Sequence, residues 1–149
     1  MIAISYGHVY VATISHGANQ AQMVKALKEA ESYPGPSLVI AYAPCIAHGI
    51  NKGMGLSQQE AKLATECGYF PLFRYDPRLK AEGKNPFQLD SKTPNWDKYN
   101  DFLMNERRYS TLSSINPKAA QELLEANIEH AKQRFATYLE AANRPVEEN

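Results

Sequence analysis

The sequence predicts an α/β fold: a βαβ unit in a mainly parallel sheet, followed by a C-terminal helical extension. Three observations predict it. His8-Val9-Tyr10-Val11-Ala12-Thr13-Ile14 is β-branched and aromatic behind Gly7, which is the signature of a strand. Met23, Ala26, Leu27 and Ala30 then recur at i, i+3, i+4, i+7, one apolar stripe of a helix with Lys25, Lys28, Glu29 and Glu31 mostly off it. Ser37-Leu38-Val39-Ile40-Ala41-Tyr42-Ala43 is an almost unbroken apolar run, as expected of a strand buried on both faces. Strand, crossover helix and buried strand make parallel pairing with a right-handed crossover.

The helix is expected to stop at Tyr33-Pro34-Gly35-Pro36, because proline cannot continue it and glycine releases the chain. Residues 46–56 read as a loop with glycines at 49, 53 and 55, which suit positive φ angles and close backbone approach. Ser57-Gln58-Gln59-Glu60 reads as a capping box. The helix it opens runs through Leu63, Ala64 and Cys67 to Gly68. Tyr69 to Tyr75 reads as another strand, with Pro71 marking an edge or an irregular start.

From Asp76-Pro77 to position 94 the chain is rich in proline and lysine, with one short extended piece, Phe87-Gln88-Leu89-Asp90, and reads as a surface excursion. Two helices follow. Asn95 can cap the first, which buries Tyr99, Phe102, Leu103 and Tyr109; Asn116-Pro117 starts the second with an N-cap and a proline at the first helical position. The second carries Ala120, Leu124, Ile128, Ala131, Phe135 and Tyr138 on one side to about Ala142, and its charged residues form a solvated face. The end, from Asn143, is expected to be a polar tail and a natural terminus.

Residues 1–75 and 76–149 are therefore taken as two parts of one domain. A doubly wound sheet wants more strands than the two or three strong ones here, so the chain reads as the second half of a larger α/β domain. Met1 to Tyr6 reads as the stub of a preceding helix.

Among 149 residues, sixteen basic and sixteen acidic side chains balance to a formal charge of zero, which argues against a nucleic-acid partner. There is no apolar run near the length of a membrane span and no signal-peptide pattern at the start. Two cysteines do not make a disulfide framework, so a reduced, cytoplasmic setting is expected.

Cys45 is the candidate functional residue. It follows Pro44 at the exit of the apolar strand, at the carboxyl edge of the sheet, where open α/β folds place ligands and cofactors. One thiolate cannot hold a metal cluster, so any co-ligands lie elsewhere. His48, three residues on, is either a solvent-facing loop residue or a hydrogen-bond donor to a sulfur. His16 reads as a similar surface residue. Cys67, on the apolar face with Leu63 and Ala64, reads as structural. The glycines lack the spacing of a phosphate loop.

Tyr6-Gly7-His8-Val9-Tyr10-Val11-Ala12, Gly17-Ala18-Asn19-Gln20, Glu29-Ala30-Glu31-Ser32-Tyr33 and Gly35 through Ile46 together resemble the C-terminal part of pyruvate:ferredoxin (flavodoxin) oxidoreductase. The resemblance continues through Gly53-Met54-Gly55, Glu66-Cys67-Gly68-Tyr69, Tyr75-Asp76-Pro77-Arg78-Leu79, Gly83-Lys84-Asn85-Pro86-Phe87 and Leu89-Asp90-Ser91-Lys92, nearly the whole chain. It implies part of a thiamine-diphosphate-binding domain in a homodimeric enzyme. Such enzymes convert pyruvate oxidatively to acetyl-CoA and pass electrons through [4Fe–4S] clusters to ferredoxin or flavodoxin. It implies that Cys45 is the fourth ligand of the cluster nearest the thiamine, with three cysteines from earlier in the polypeptide.

The departures matter equally. The Gly-Asp-Gly motif for magnesium and diphosphate, the other cluster cysteines, and the pyruvate and coenzyme A domains are absent. The chain alone is therefore expected to bind no cofactor and to be inactive. The alternatives are a free-standing binding or regulatory module that retains the fold without the chemistry, and a thiol enzyme built on Cys45, for which no motif positions a base.

Overall fold

A computed structural model describes residues 1–145; the last four residues of the expected polar tail lie outside the described residues. After a short helix α1 (Ile2–Ser5), strand β1 (Tyr10–Ser15) leads into helix α2 (Gln20–Ser32) and strand β2 (Ser37–Tyr42). Asn19 caps α2 by accepting from the Gln22 backbone N–H at 3.0 Å. Tyr33, extended as residues before proline are, ends it. β1 and β2 pair in parallel from Tyr10↔Ser37 to Ser15↔Tyr42, which closes the expected βαβ unit.

The remaining elements are helix α3 (Ser57–Glu66), strand β3 (Phe73–Tyr75), the single turn α4 (Arg78–Ala81), strand β4 (Phe87–Leu89), and helices α5 (Tyr99–Asn105), α6 (Arg107–Ile115) and α7 (Pro117–Asn143). The sheet order is β2-β1-β3-β4. It is mixed rather than mainly parallel, because β3 runs antiparallel to β1 and β4 antiparallel to β3. The reason lies in α3. That helix stays at the carboxyl end of β1, where Ser15 Oγ donates to the Ala61 carbonyl at 3.2 Å and a Cβ on Gly17 would strike the Gln58 carbonyl. The chain never crosses back to the amino edge, so it enters β3 from the opposite end. The Thr13 hydroxyl fixes that entry, donating to the Pro71 carbonyl and accepting from the Phe73 N–H, both at 2.9 Å.

Three apolar clusters hold the layers. Tyr10, Ala12 and Ile14 pack with Ala26 of α2. On the other face Val11, Phe73, Tyr75 and Phe87 pack against Tyr138 and Ala141 of α7. A helical cluster joins Ala64, Cys67, Tyr99, Phe102, Leu103 and Ala131. A buried ionic knot ties α2 to the β3–β4 hairpin: Arg74 donates to both oxygens of Glu29 (2.7 and 2.9 Å) and both of Asp90 (2.8 and 2.9 Å).

Several expectations change. The strand expected to be buried, β2, is the sheet's outer edge, with Leu38 and Ile40 more than 40% exposed. Its apolar run suits a strand flanked and covered, yet no second strand pairs with it among the described residues. Only Val39 reaches the α2 cluster. Ser57 does not cap α3, because the 3-10 turn Met54–Leu56 runs straight into the helix and Glu60 turns inward instead. The first of the two expected late helices is broken at Glu106, whose extended backbone pairs with Ile50. Within the expected surface excursion, Phe87–Leu89 forms β4 of the sheet. The last helix matches its expectation: Asn116 caps it, accepting from Ala119 N–H at 3.1 Å, and it spans 27 residues, about 40 Å at 1.5 Å each.

Candidate functional site: the cysteine loop

β2 delivers the chain to the carboxyl edge, and residues 43–53 turn out of the sheet there. Cys45 is free and half-buried at this exit. The Gly49 N–H donates to the Cys45 carbonyl at 2.8 Å, closing a tight turn; Gly49 (φ +74°) and Gly53 (φ +91°) hold the positive φ that the loop requires. Gly55 does not: it lies inside the 3-10 turn, and its expected positive φ is absent.

The turn brings His48 Nδ1 to 3.1 Å from Cys45 Sγ. The His48 contact and the neighbouring backbone N–H groups hold the Cys45 thiol below its usual range, at about 7. A thiolate is thus accessible near neutrality at the rim of the sheet. His48 is exposed and its ring faces this sulfur. His16 is exposed. Cys67 is fully buried, and burial pushes its thiol up to about 11, in keeping with a structural residue. The two thiols remain separate.

The loop is gripped at both ends by residues 104–107. At its start, Tyr42 Oη donates to Glu106 Oε1 at 3.0 Å. At its end, Ile50 bridges Glu106, the Asn51 N–H donates to the Asn105 carbonyl at 2.7 Å, and the Lys52 N–H donates to Asn105 Oδ1 at 3.1 Å. Asn51 Nδ2 reaches the Met104 carbonyl at 2.7 Å, and the Arg107 N–H reaches the Gly49 carbonyl at 3.3 Å. Glu106 and Asn105 are buried, and Asn105 Nδ2 donates to Glu60, also buried. Sequence reasoning missed this brace. The carboxylates at 60 and 106 each sit in a run that reads as ordinary helix, so no local signal announces it.

No group of three or more His, Cys, Asp or Glu side chains able to hold a metal lies among the described residues. Of the two free thiols, Cys45 is the one within reach of solvent, and a thiolate is a soft donor suited to iron–sulfur chemistry. Nothing in the loop resembles a cradle for thiamine diphosphate.

No family model matches the chain. Pyruvate:ferredoxin oxidoreductase of Moorella thermoacetica is 54% identical over 142 residues, which are 95% of this chain and 12% of that protein. Pyruvate-flavodoxin oxidoreductase of Klebsiella pneumoniae is 51% identical over 138 residues, 93% of this chain and 12% of that protein. This chain matches a segment of the pyruvate:ferredoxin and pyruvate-flavodoxin oxidoreductases. Mitochondrial pyruvate dehydrogenase (NADP+) of Euglena gracilis is 52% identical over 137 residues, 92% of this chain and 8% of that protein. The chain thus spans about one eighth or less of the length of these relatives. Among the described residues no helix is long and apolar enough to cross a membrane.

Proposed function

We propose that this chain works as the C-terminal segment of a cytoplasmic enzyme that oxidises pyruvate to acetyl-CoA and passes the electrons to ferredoxin or flavodoxin. In it, Cys45 is one ligand of a [4Fe–4S] cluster whose other cysteines come from the rest of the polypeptide. The observation that carries the reading is the identity to pyruvate oxidoreductases across nearly the whole chain, joined to an accessible, acidified thiol at the sheet's carboxyl edge. The cluster, when bound, supplies one-electron transfer.

This chain's residues would act in four ways. Cys45 Sγ, as the thiolate, would hold iron. His48 Nδ1–H, in the tautomer that donates, would place a hydrogen bond on that sulfur and bias the potential upward. The 104–107 brace fixes where the sulfur stands. Ile46, 85% exposed beside Cys45, offers an apolar surface able to exclude water when covered by the parent. Thiamine diphosphate and its magnesium are assigned to the remainder of the polypeptide, and the isolated chain is inactive.

The free edge of β2 supports the same reading. Leu38 and Ile40 lie exposed beside an unpaired row of backbone groups, as a strand does whose neighbours come from elsewhere in the domain. A module complete in itself would leave this edge blunted by charge or proline, and β2 carries neither.

An immunoblot of anaerobically prepared source cells, with an antibody raised against this chain, tests the reading. A band several times larger than 149 residues supports the segment. A band at the size of the chain itself overturns it in favour of a free-standing module.

A further inference from the structure

Beneath the cysteine loop lie two buried carboxyl groups that the proposed chemistry does not use. Glu60 comes from α3 and Glu106 from the break between α5 and α6. Each has one oxygen bound: Glu60 Oε2 accepts from Asn105 Nδ2, and Glu106 Oε1 accepts from Tyr42 Oη. The other oxygen of each, Glu60 Oε1 and Glu106 Oε2, is buried without a hydrogen-bond partner. Ionised carboxylates in that condition are costly, and two of them held through adjacent residues of one turn repel.

The surrounding groups do not neutralise both. Arg108 Nε, from α6, stands 3.9 Å from Glu106 Oε2 and is partly exposed. Lys52, from the loop itself, acts on Glu60 only as a charge at a distance, and Cys67 of the adjoining turn lies near enough to feel the Glu60 charge. Tyr42, on β2, faces Glu106 with its hydroxyl protonated throughout the physiological range. The same two carboxyl groups anchor the segment that grips both ends of the loop.

We propose that Glu60, buried beside Glu106, forms a proton-dependent brace for the cysteine loop, firm while Glu60 is protonated and loosened when it ionises. Glu60 is the group that takes the proton: burial, first, and the Glu106 charge push its carboxyl above the ordinary range. The sign follows. The folded form keeps a proton that the unfolded chain has already lost, so the brace is firmest below the ordinary carboxylate range, and that firmness is lost as pH climbs from there through the raised value. Glu60 and Glu106 are positioning residues, and the inference holds whether or not Cys45 takes iron.

The test is amide hydrogen exchange in the full polypeptide, corrected for intrinsic rates, read on the peptide covering 46–56 between pH 5 and 8. Protection of that peptide is expected to fall severalfold, by about tenfold at most, across this range in the native sequence. In Glu60→Gln, which keeps an acceptor for Asn105 but cannot ionise, it is expected to stay flat. A flat profile in the native sequence, or the same slope in Glu60→Gln, overturns the proposal. If Glu60→Gln does not fold, Glu106→Gln decides: it too removes the second charge, and an unaltered slope in that variant overturns the proposal.

Discussion

Tyr42 donates its hydroxyl to Glu106 at 3.0 Å, and through that bond the last residue of the edge strand is tied to the break between two helices. The bond joins elements 64 residues apart in sequence and sets the angle at which the chain leaves the sheet toward Cys45. Glu106 is fully buried, so losing its donor leaves a second carboxylate oxygen without a partner. Tyr42→Phe is expected to cost about 1–3 kcal/mol in urea denaturation of the chain, with the denaturant slope unchanged. A loss within a few tenths of a kcal/mol would mean that water already satisfies Glu106.

The ionic knot around Arg74 carries more. Its side chain is 8% exposed and neutralises two carboxylates from different elements. Arg74→Ala is expected to destabilise the fold by about 2–3 kcal/mol, because Glu29 and Asp90, both partly buried, lose the cation between them. Thermal unfolding checks this. The Lys84–Glu82 pair is exposed on both sides, and its removal is expected to shift the same curve by less than about 1 kcal/mol.

Cys45 reacts as a thiolate, so alkylation of the metal-free chain reports its ionisation. The rate is expected to rise to a plateau through a midpoint near 7, since the acidified thiol is mostly deprotonated above that pH. His48→Ala removes the first cause of the shift and is expected to move the midpoint up by about one unit. Cys67, buried and near 11, is expected to stay unmodified until the chain unfolds. Equal midpoints with and without His48 would assign the acidity to the backbone turn alone.

The exposed edge of β2 has a cost for the chain on its own. Leu38 and Ile40 on an unpaired strand are expected to drive self-association, visible as concentration-dependent sedimentation. Ile40→Lys is expected to shift the distribution toward monomer while leaving the circular dichroism unchanged. A monomer at every concentration would show that the edge is tolerated in water.

The periodicity of local segments was readable from sequence because each pattern is local. The βαβ unit, the Asn19 and Asn116 caps and the apolar side of α7 all follow from residues within a few positions of one another. The direction of β3 was not readable: it depends on α3 staying at the end of β1, a contact between Ser15 and Ala61 that no local pattern announces. Apolarity of β2 says what the strand prefers, and its exposure here depends on which neighbours are present. At the site, Cys45 was legible from its place after an apolar run. Glu60 and Glu106 were not, because a glutamate one turn into a helix or inside a polar run looks solvated, and only the fold turns these two inward.

Cys45 is proposed to complete an iron–sulfur cluster. The most direct measurement is electron paramagnetic resonance of the reduced full polypeptide, native against Cys45→Ser, with iron counted per chain. One cluster signal is expected to be lost or altered and the iron content to fall, while the remaining clusters keep their spectra. An unchanged spectrum with unchanged iron would contradict it and remove Cys45 from the ligand set.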